Sequence, residues 1–348
     1  MRLLIITQKV DSSDHNLGFF VRWIEEFAKH CASVTVICLE NGNYHLLNNI
    51  RVLSLGKEGL KINDKGLRIL LKLQYALRFL RYIVFERKNY DGVFVHMNPE
   101  YVLLGGLLWR LLRKQVGFWY THKSKRLLQS ALIFIDHVFT PSLGSFPIRT
   151  KKERIVGHGI DTKLFLPRAS GRTPGSPPII LSDTRLTPSK HVERTIEISR
   201  ELQKLGVRHF FNIIGAPITE EDMAYEKRLR EEISKENLPV AFIGGVPFAL
   251  VPDYYGKANL FINHSNVGAL NKTVLQAMSM NIPVLTSNES YRGILPDDAI
   301  VQETPNAFAK KIQAFLTNPI LVSYREQILQ EHSLQALIPK ILHSYEHR

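Results

Sequence analysis

Short apolar runs alternate with amphipathic segments along this chain. Leu3 to Thr7 is an apolar run of the kind found in a central parallel strand that is buried on both faces. A polar loop, a helical segment from Phe19 to Phe27 and a second apolar run, S-V-T-V-I-C-L, follow in that order. A strand, a crossover of helix length and another strand predict an α/β fold with a doubly wound parallel sheet.

The rest of the first half repeats this alternation. Strands are predicted at Gly92 to Val95 and at Val116 to Tyr120, and another is expected to end at Thr140. A polar loop follows each of them. In open α/β sheets ligands bind outside the carboxyl ends of the strands, so these loops are where we expect polar side chains to act.

A long helix is predicted over residues 65 to 88. Its apolar positions recur at helical spacing and form one face, whereas basic residues gather on the other. The apolar face consists of Ile69, Leu73, Leu77, Leu80 and Val84, and the basic residues are Arg68, Lys72 and Arg78.

The second half begins with the same order of elements. A strand at Ile179 to Leu181 precedes a helix from about Val192 and a strand at Phe210 to Ile214. Between the halves, Pro167 to Pro178 is rich in proline and glycine, which predicts a linker. We therefore expect a first domain over residues 1–168, a linker over 169–178, a second domain over 179–325 and a C-terminal helix within 326–348.

Composition limits the class of protein and its partners. A chain of 348 residues is long for one core, and its 45% apolar and 22% charged residues are typical of a globular protein. The formal net charge of +13 indicates an anionic partner: nucleic acid, anionic lipid or a phosphorylated substrate. Nucleic acid is disfavoured, because no aromatic and basic strand motif or recognition helix stands out.

Location is also predicted from the sequence. Cys31 and Cys38 lack metal-ligand spacing and are expected to be buried thiols of a reducing cytosol. The N-terminus lacks the pattern of a signal peptide, and charged residues interrupt every long apolar run. We expect a cytoplasmic protein. The basic helices of the first half indicate either a solvated surface or peripheral contact with an anionic membrane at its inner face, with Trp109, Phe118 and Trp119 near the basic residues.

Several chemistries are not supported by any motif. The first turn lacks G-x-G-x-x-G, which disfavours a nicotinamide enzyme. No serine elbow, cysteine–histidine arrangement or P-loop is present. No D-x-D follows a strand and no cluster has metal-ligand spacing, so neither a metal nor another cofactor is expected.

The stretch from Ser265 to Asn288 is a candidate anion site. It reads S-N-V-G-A-L-N-K-T-V-L-Q-A-M-S-M-N-I-P-V-L-T-S-N. Gly268 allows a ligand to approach the backbone, and a helix from about Lys272 directs its N–H groups and positive dipole end at that loop. Pro283 ends the helical segment, and a strand follows.

Two cations follow the first strand of the second half, in L-S-D-T-R-L-T-P-S-K-H. Arg185 offers a planar, bidentate fork and Lys190 a point charge, which together suit a diphosphate. The alternative is that both are solvated surface cations.

These motifs resemble those of the GT-B glycosyltransferases, specifically the retaining family 4, or "group 1". Q-A-M-S-M-N-I-P-V is similar to that family's E-A-M-A-x-G-x-P-V segment, and D-T-R-L-T-P-S-K-H is similar to its G-R-L-x-x-x-K-G loop. Gln276 and Gly268 stand where the family has two glutamates. V-G-H-G-I-D-T-K-L-F resembles its N-G-I-D-x-x-x-F segment, where we expect His158 and Asp161 to be structural.

The resemblance implies two Rossmann-like domains that face a cleft, with the last helix returning to the first domain. It also implies roles for individual residues. Arg185, Lys190 and His122 would act at the reacting groups, the last because Y-T-H-K matches a histidine that faces the donor sugar. The donor and its nucleotide would be bound by Gly18, Gly215, Gly245, Val246, Gly268, Ala269, Leu270, Lys272 and Gln276. Acceptor-side candidates are His96, Asn98 and Glu100.

The function implied by the resemblance is a metal-independent, retaining transfer of a hexose. The donor would be a nucleotide-diphosphate sugar and the acceptor a glycan or a lipid-linked molecule. Because both family glutamates are missing, a catalytically weakened nucleotide-sugar-binding protein stays an alternative. A nucleotide-sugar epimerase of the same fold is a further one, although few carboxylates are available for its acid–base chemistry.

Overall fold

The computed structural model describes residues 1–57, 64–122, 124–167, 176–264, 269–302, 304–319 and 321–346. The chain forms two compact units: the first contains Met1–Gly159 and Glu331–Arg348, and the second contains Ile160–Gln330. The N-terminal part of the first unit thus ends before the predicted linker. Most of that linker lies outside the described residues.

The first unit is built on seven strands. In chain order its elements are β1 (Arg2–Val10), α1 (Gly18–His30), β2 (Ser33–Asn41), β3 (Ile50–Ser54), α2 (Lys65–Phe85), β4 (Gly92–His96), α3 (Pro99–Leu111), β5 (Gln115–Trp119), α4 (Leu128–Ala131), β6 (His137–Thr140) and β7 (Glu153–Ile155). The strand order is β3-β2-β1-β4-β5-β6-β7, and every pairing is parallel. Leu3 of β1, for example, pairs with Val34 of β2 and with Gly92 of β4.

The second unit repeats the plan with five strands. Its elements are β8 (Ile179–Asp183), α5 (Glu193–Lys204), β9 (Phe210–Ile214), α6 (Glu220–Glu236), β10 (Val240–Gly244), α7 (Val251–Tyr255), β11 (Leu260–Asn263), α8 (Lys272–Ser279), β12 (Val284–Thr286), α9 (Pro305–Thr317) and α10 (Arg325–Gln327). The order is β10-β9-β8-β11-β12, again all parallel. The predicted α/β class with two doubly wound parallel sheets is confirmed.

The last helix, α11 (Leu334–His343), belongs to the first unit. Leu334, Leu337, Ile338 and Ile341 are buried and share a core with α1 on one face of the first sheet. The hydroxyl of Tyr345 donates to the carbonyl oxygen of Val93 in β4 at 2.7 Å. The chain therefore returns to the first sheet after it has built the second.

The other face of the first sheet is covered by α2, α3 and α4. The apolar face predicted for α2 is not the side of the helix that packs on the sheet. Phe79 and Ile83 are fully buried, whereas Ile69, Leu73 and Leu77 of the predicted apolar face are exposed. Helical periodicity identified a real apolar stripe, but a second set of apolar residues on the same helix faces the sheet.

Both sheets have a point at which the strand order reverses. In the first unit this point lies between β1 and β4, and in the second it lies between β8 and β11. The loops that leave these strands define the crevice in which doubly wound sheets bind ligands. In the second unit they are the segment after Asp183 and the segment after Asn263.

Candidate functional site

Three loops meet at the carboxyl edge of the second sheet. The N–H of Thr184, directly after β8, donates to the carbonyl oxygen of Ile214 at the end of β9 at 2.9 Å. The N–H of Gly215 donates to the carbonyl oxygen of Gly244 at the end of β10 at 3.0 Å. The loops after β8, β9 and β10 are thus joined by backbone hydrogen bonds.

Gly215 is required for this junction. Its φ of +138° is a conformation that side chains rarely adopt, and a Cβ at this position would lie 1.9 Å from the carbonyl oxygen of Thr184. The glycine was predicted as a donor-binding residue because it follows a strand. The structure shows that it allows the Arg185 loop to lie directly against the end of β9.

Arg185 and Lys190 stand in one compact loop. The N–H of Thr187 donates to the carbonyl oxygen of Arg185 at 3.0 Å, and that of Lys190 donates to the carbonyl oxygen of Thr187 at 2.9 Å. A single 3₁₀ turn, Pro188–Lys190, ends the loop, and both cationic residues are exposed. Two positive charges are therefore presented within seven residues of the end of β8, at the reversal of strand order.

Asp183 and Tyr255, which sequence analysis did not select, connect this loop with α8. The hydroxyl of Tyr255 donates to Oδ2 of Asp183 at 2.8 Å and also lies 3.4 Å from the carbonyl oxygen of Thr273, in the first turn of α8. Burial raises the pKa of Asp183 to about 6, although the Tyr255 hydrogen bond opposes the shift. The only sequence signal for Asp183 was an acidic residue at the end of an apolar strand.

The start of α8 is held by two buried side chains from the segment after β12. Nδ2 of Asn288 donates to the carbonyl oxygen of Ala269 at 2.9 Å and to Oδ1 of Asn271 at 3.1 Å. The N–H of Asn271 donates to the Tyr291 hydroxyl at 2.6 Å, and this hydroxyl donates to the carbonyl oxygen of Asn271 at 3.0 Å. The loop before α8 is therefore braced. Neither residue was selected from sequence, since only tertiary contacts reveal them.

The helix start itself favours an anion. Asn271, the N-cap of α8, makes no side-chain cap, and a helix N-terminus carries unsatisfied N–H groups and the positive end of the helix dipole. Ala269 and Leu270 lead into it, as predicted. Gly268 lies outside the described residues.

The charge of Asp161 acts on the buried ammonium of Lys272 inside the second unit. Burial lowers the pKa of Lys272 well below its usual value, and the charge of Asp161 counteracts this effect. Oδ1 of Asp161 accepts from the N–H groups of Lys163 and Leu164, both at 3.1 Å, so this carboxylate also caps its own turn. A structural role for Asp161 agrees with these contacts.

Gln276 is buried, with 4% of its surface exposed. Its side-chain amide makes no hydrogen bond to any other residue that the structure describes.

Gly245 and Val246 lie in the loop after β10. Gly245 is exposed and Val246 is buried in the core of the second unit, so mainly the backbone of this loop can contact a ligand.

The predicted residues of the first unit also follow its strands. Gly18 opens α1, and its N–H donates to the carbonyl oxygen of Asp14 at 2.9 Å. His122 is exposed, and its Nδ1 accepts from the N–H of Ser124 at 3.1 Å, which places the ring proton on Nε2.

The acceptor-side candidates differ in their surroundings. His96 is buried, and its ring stacks on Phe20 with centroids 4.1 Å apart. Nδ2 of Asn98 donates to the carbonyl oxygen of His96 at 3.0 Å, and Glu100 is exposed in the first turn of α3. Of the three, Asn98 and Glu100 have side chains that solvent reaches.

Family models match the chain in two places. The model of the family "Glycosyl transferases group 1" matches residues 167–332, which include Arg185, Lys190 and the start of α8. A second model, "Glycosyl transferase 4-like", matches residues 12–123. Both models describe glycosyl transferases, and together they match most of the chain.

One curated relative is WcaL of Escherichia coli strain K12, named for a glycosyltransferase role in colanic acid biosynthesis. It is 30% identical over 140 residues, or 38% of this chain and 33% of WcaL. The matched stretch thus spans about a third of the length of that relative.

Solved structures of the GT-B type share the whole fold. Sucrose-phosphate synthase from Thermosynechococcus elongatus superposes with a TM-score of 0.79 and 17% identity over 99% of this chain and 98% of that chain. HepE of Anabaena, solved with UDP and glucose, gives a TM-score of 0.75 and 14% identity over the full length of both chains. At this identity the likeness shows the fold, and the predicted GT-B architecture is confirmed.

Metal-binding clusters and membrane-spanning helices are both absent from the described part of the chain. Among the described residues, no group of three or more His, Cys, Asp and Glu side chains is arranged to hold a metal ion. None of the helices described here is both long and apolar enough to cross a membrane.

Proposed function

We propose that this glycosyltransferase transfers a hexose from a nucleotide-diphosphate sugar to a glycan or lipid-linked acceptor, with retention and without a metal. The observation that carries the proposal is the construction of the carboxyl edge of the second sheet. There, backbone hydrogen bonds join Thr184, before Arg185, to Ile214 and join Gly215 to Gly244, and Tyr255 joins Asp183 to the start of α8.

The proposed role of this edge is to bind the diphosphate. The guanidinium of Arg185 and the ammonium of Lys190 supply two positive charges, and the N-terminus of α8 supplies N–H groups with a favourable dipole. In glycosyl transfer the nucleotide leaves as a diphosphate on which negative charge develops. Preorganised cations and dipoles stabilise that charge most in the transition state, which lowers the barrier without a metal ion.

Retention is proposed to follow from attack on the face of the sugar from which the diphosphate departs. The leaving phosphate oxygen then accepts the proton of the acceptor hydroxyl as the new glycosidic bond forms. His122, with its proton on Nε2, is proposed to donate a hydrogen bond to a hydroxyl of the donor sugar. A peripheral contact with an anionic membrane is proposed as well, which would suit a lipid-linked acceptor.

A second candidate function is a nucleotide-sugar-binding protein with weakened catalysis. Gln276 favours it, because its amide is uncharged and makes no hydrogen bond among the described residues. A carboxylate at this position would accept stronger, charge-assisted hydrogen bonds from a ribose diol.

A thermal-shift panel tests the donor. Nucleoside diphosphates, their sugars and the matching monophosphates are added to the wild-type protein, because a ligand that binds only the folded state raises its melting temperature. At 100 times its dissociation constant a ligand adds about 2.7 kcal/mol of stability. The proposal expects a shift with one diphosphate and its sugar and a much smaller shift with the monophosphate; equal shifts would contradict it. Sugar transfer with the best donor then separates the enzyme from the binding protein.

A further inference from the structure

A cavity of about 390 Å³ lies beside β12, the edge strand of the second sheet. Leu260 of β11 and Val284 and Leu285 of β12 line it from the sheet, and Ala314 and Phe315 line it from α9. Small-molecule sites have volumes of about 300–1,000 Å³ and mainly apolar walls. This cavity is at the lower end of that range, which suits a molecule with one or two fused rings.

The cavity is separate from the proposed donor site. Leu260 and Val284 are the first residues of their strands, whereas the donor-site segments follow the carboxyl ends of strands. β12 has three residues, and at about 3.3 Å per residue it places roughly 10 Å between the two edges of the sheet. A molecule in the cavity would therefore be a second ligand and would not displace a nucleotide.

Three polar side chains also line the cavity: Asp298, Lys311 and Tyr324. The ammonium of Lys311 lies 3.2 Å from Oδ2 of Asp298, and both side chains are partly exposed, so this ion pair contributes little to stability. Burial raises the pKa of Tyr324 to about 12, and the charge of Asp298 adds to the shift. The hydroxyl of Tyr324 makes no hydrogen bond to any other residue that the structure describes. At neutral pH this hydroxyl is therefore a donor that a ligand can use.

The backbone at Tyr324 is held in place by hydrogen bonds. Oδ1 of Asn281 accepts from the N–H groups of Tyr324 and Arg325, both at 3.0 Å. The guanidinium of Arg325 donates to the carbonyl oxygens of Phe165 and Ser279, both at 2.8 Å. Because this wall is already ordered, a ligand loses little affinity to the cost of ordering it.

The charge of the lining limits the chemistry of the ligand. Asp298 and Lys311 compensate each other, and none of the other lining residues is charged. An ionic ligand would be attracted by one of the two and repelled by the other, and it would also lose hydration. An uncharged hydroxyl group, in contrast, can accept a hydrogen bond from Tyr324 and donate one to Asp298.

We propose that this cavity binds an uncharged molecule with an apolar body of one or two rings and a hydroxyl group. The rings lie against Val284, Leu285 and Phe315, and the hydroxyl group bonds to Tyr324. The inference concerns the second unit alone and does not depend on the proposed donor site.

Occupation of the cavity should also order a segment that leads to the brace of α8. This segment begins at Tyr291, passes Asp298 and Ala299 in the cavity lining, and returns to the sheet where the N–H of Val301 donates to the carbonyl oxygen of Thr286 at 2.8 Å. A ligand that contacts the lining opposes local opening of this segment, so hydrogen exchange at Val301 should become slower.

Three naphthalene probes that differ in their polar group test the chemistry of the site. They are 2-naphthol, naphthalene-2-sulfonate and protonated 2-naphthylmethylamine, each titrated into the full chain in the absence of nucleotide and followed by fluorescence and calorimetry. We expect 2-naphthol to bind at one site per chain and at least about tenfold more tightly than either charged probe. Since no nucleotide is present, a failure of the proposed donor site would not affect this result.

Two variants test the location. Ala314→Trp fills the cavity from an exposed position, and Ala224→Trp, at an exposed alanine of α6, is its control. Tyr324→Phe removes the hydroxyl, and Tyr254→Phe, at a partly buried tyrosine outside the lining, is its control. Ala314→Trp should weaken 2-naphthol binding at least about tenfold and Tyr324→Phe about three- to tenfold, with both controls unchanged. The melting temperature of Ala314→Trp should stay near that of its control.

Several results would overturn the proposal. They are no saturable binding of 2-naphthol to the wild type, equal affinity for the charged probes, or equal affinity of Ala314→Trp and its control. Unchanged hydrogen exchange over residues 295–301 with saturating 2-naphthol would place the probe elsewhere and would also contradict it. A wild-type dimer in sedimentation velocity that Ala314→Trp dissociates would show that a second copy of the chain occupies the cavity instead.

Discussion

Gly215→Ala tests whether the loops after β8 and β9 must touch for the site to form. The added Cβ would lie 1.9 Å from the carbonyl oxygen of Thr184 and 3.4 Å from the N atom of Arg185, at a φ of +138°. Both obstacles are backbone atoms, so no side chain can rotate away. The Arg185 loop must therefore move as a whole.

Gly206→Ala is the matched control. Gly206 has a φ of +68° and no heavy atom within 4 Å of an added Cβ, so alanine there meets only the cost of a left-handed conformation. That cost is about 1–2 kcal/mol. Gly215→Ala adds a steric clash to a similar strain, and overpacking of this kind typically costs a further 1–3 kcal/mol or so.

Thermal unfolding and nucleotide titration measure the two consequences. For a domain of this size each 1 kcal/mol lowers the melting temperature by about 2–4 °C, so Gly215→Ala should melt roughly 5–15 °C below the wild type and clearly below Gly206→Ala. Because Arg185 is displaced, Gly215→Ala should also bind the donor nucleoside diphosphate at least about tenfold more weakly, while Gly206→Ala keeps wild-type affinity. Equal melting temperatures and equal affinities for the two variants would refute the close approach of the two loops.

Three further predictions concern the residues around this edge. Asp183→Asn should raise the melting temperature at pH 8 but not at pH 4. The folded-state pKa of about 6 lies above the usual aspartate value of 3.8, so the wild type loses up to about 2–3 kcal/mol of stability as the pH rises through 6. A parallel pH dependence of unfolding in wild type and variant would contradict this. Tyr291→Phe removes the buried hydroxyl that bonds the N–H and the carbonyl oxygen of Asn271 and should cost about 1–3 kcal/mol in chemical denaturation, whereas Tyr254→Phe, at a partly buried position, should cost less. Gln276→Glu should bind the donor nucleotide roughly tenfold more tightly if this residue contacts the ribose, and calorimetry showing unchanged or weaker binding would argue against that position.

The sequence predicted the central strands well because they are buried on both faces. β1, β4, β5, β8 and β11 have continuous apolar runs, and all of them lie inside the sheets. β3 and β7 are edge strands in which no side chain is fully buried, so their apolar signal is weak, and neither was predicted. The apolar face predicted for α2 is mostly exposed for a related reason: helical periodicity shows that an apolar stripe exists, but not what covers it.

For the candidate site, the sequence predicted the residues that face a ligand but not those that join the loops. Arg185, Lys190 and Lys272 follow strand ends or begin a helix, and those positions can be identified along the chain. The residues that join the loops cannot be identified in this way. Asp183 and Tyr255 are 72 positions apart, and Asn271 and Tyr291 meet only because β12 lies beside β11. Side chains that brace a site can be identified only from tertiary contacts. Side chains that face a ligand can be predicted from sequence, because they follow strand ends or begin a helix.

The most direct test of the central claim is the affinity of the donor nucleoside diphosphate for Arg185→Ala and Lys190→Ala, measured by calorimetry. Matched controls are Arg208→Ala and Lys235→Ala, exposed cations near the opposite, amino-terminal edge of the same sheet. Loss of a charged hydrogen bond costs about 1.5–3 kcal/mol, so each site variant should bind roughly 10- to 100-fold more weakly while the controls stay within about twofold of the wild type. Wild-type affinity in both site variants would show that the diphosphate is not bound at this edge.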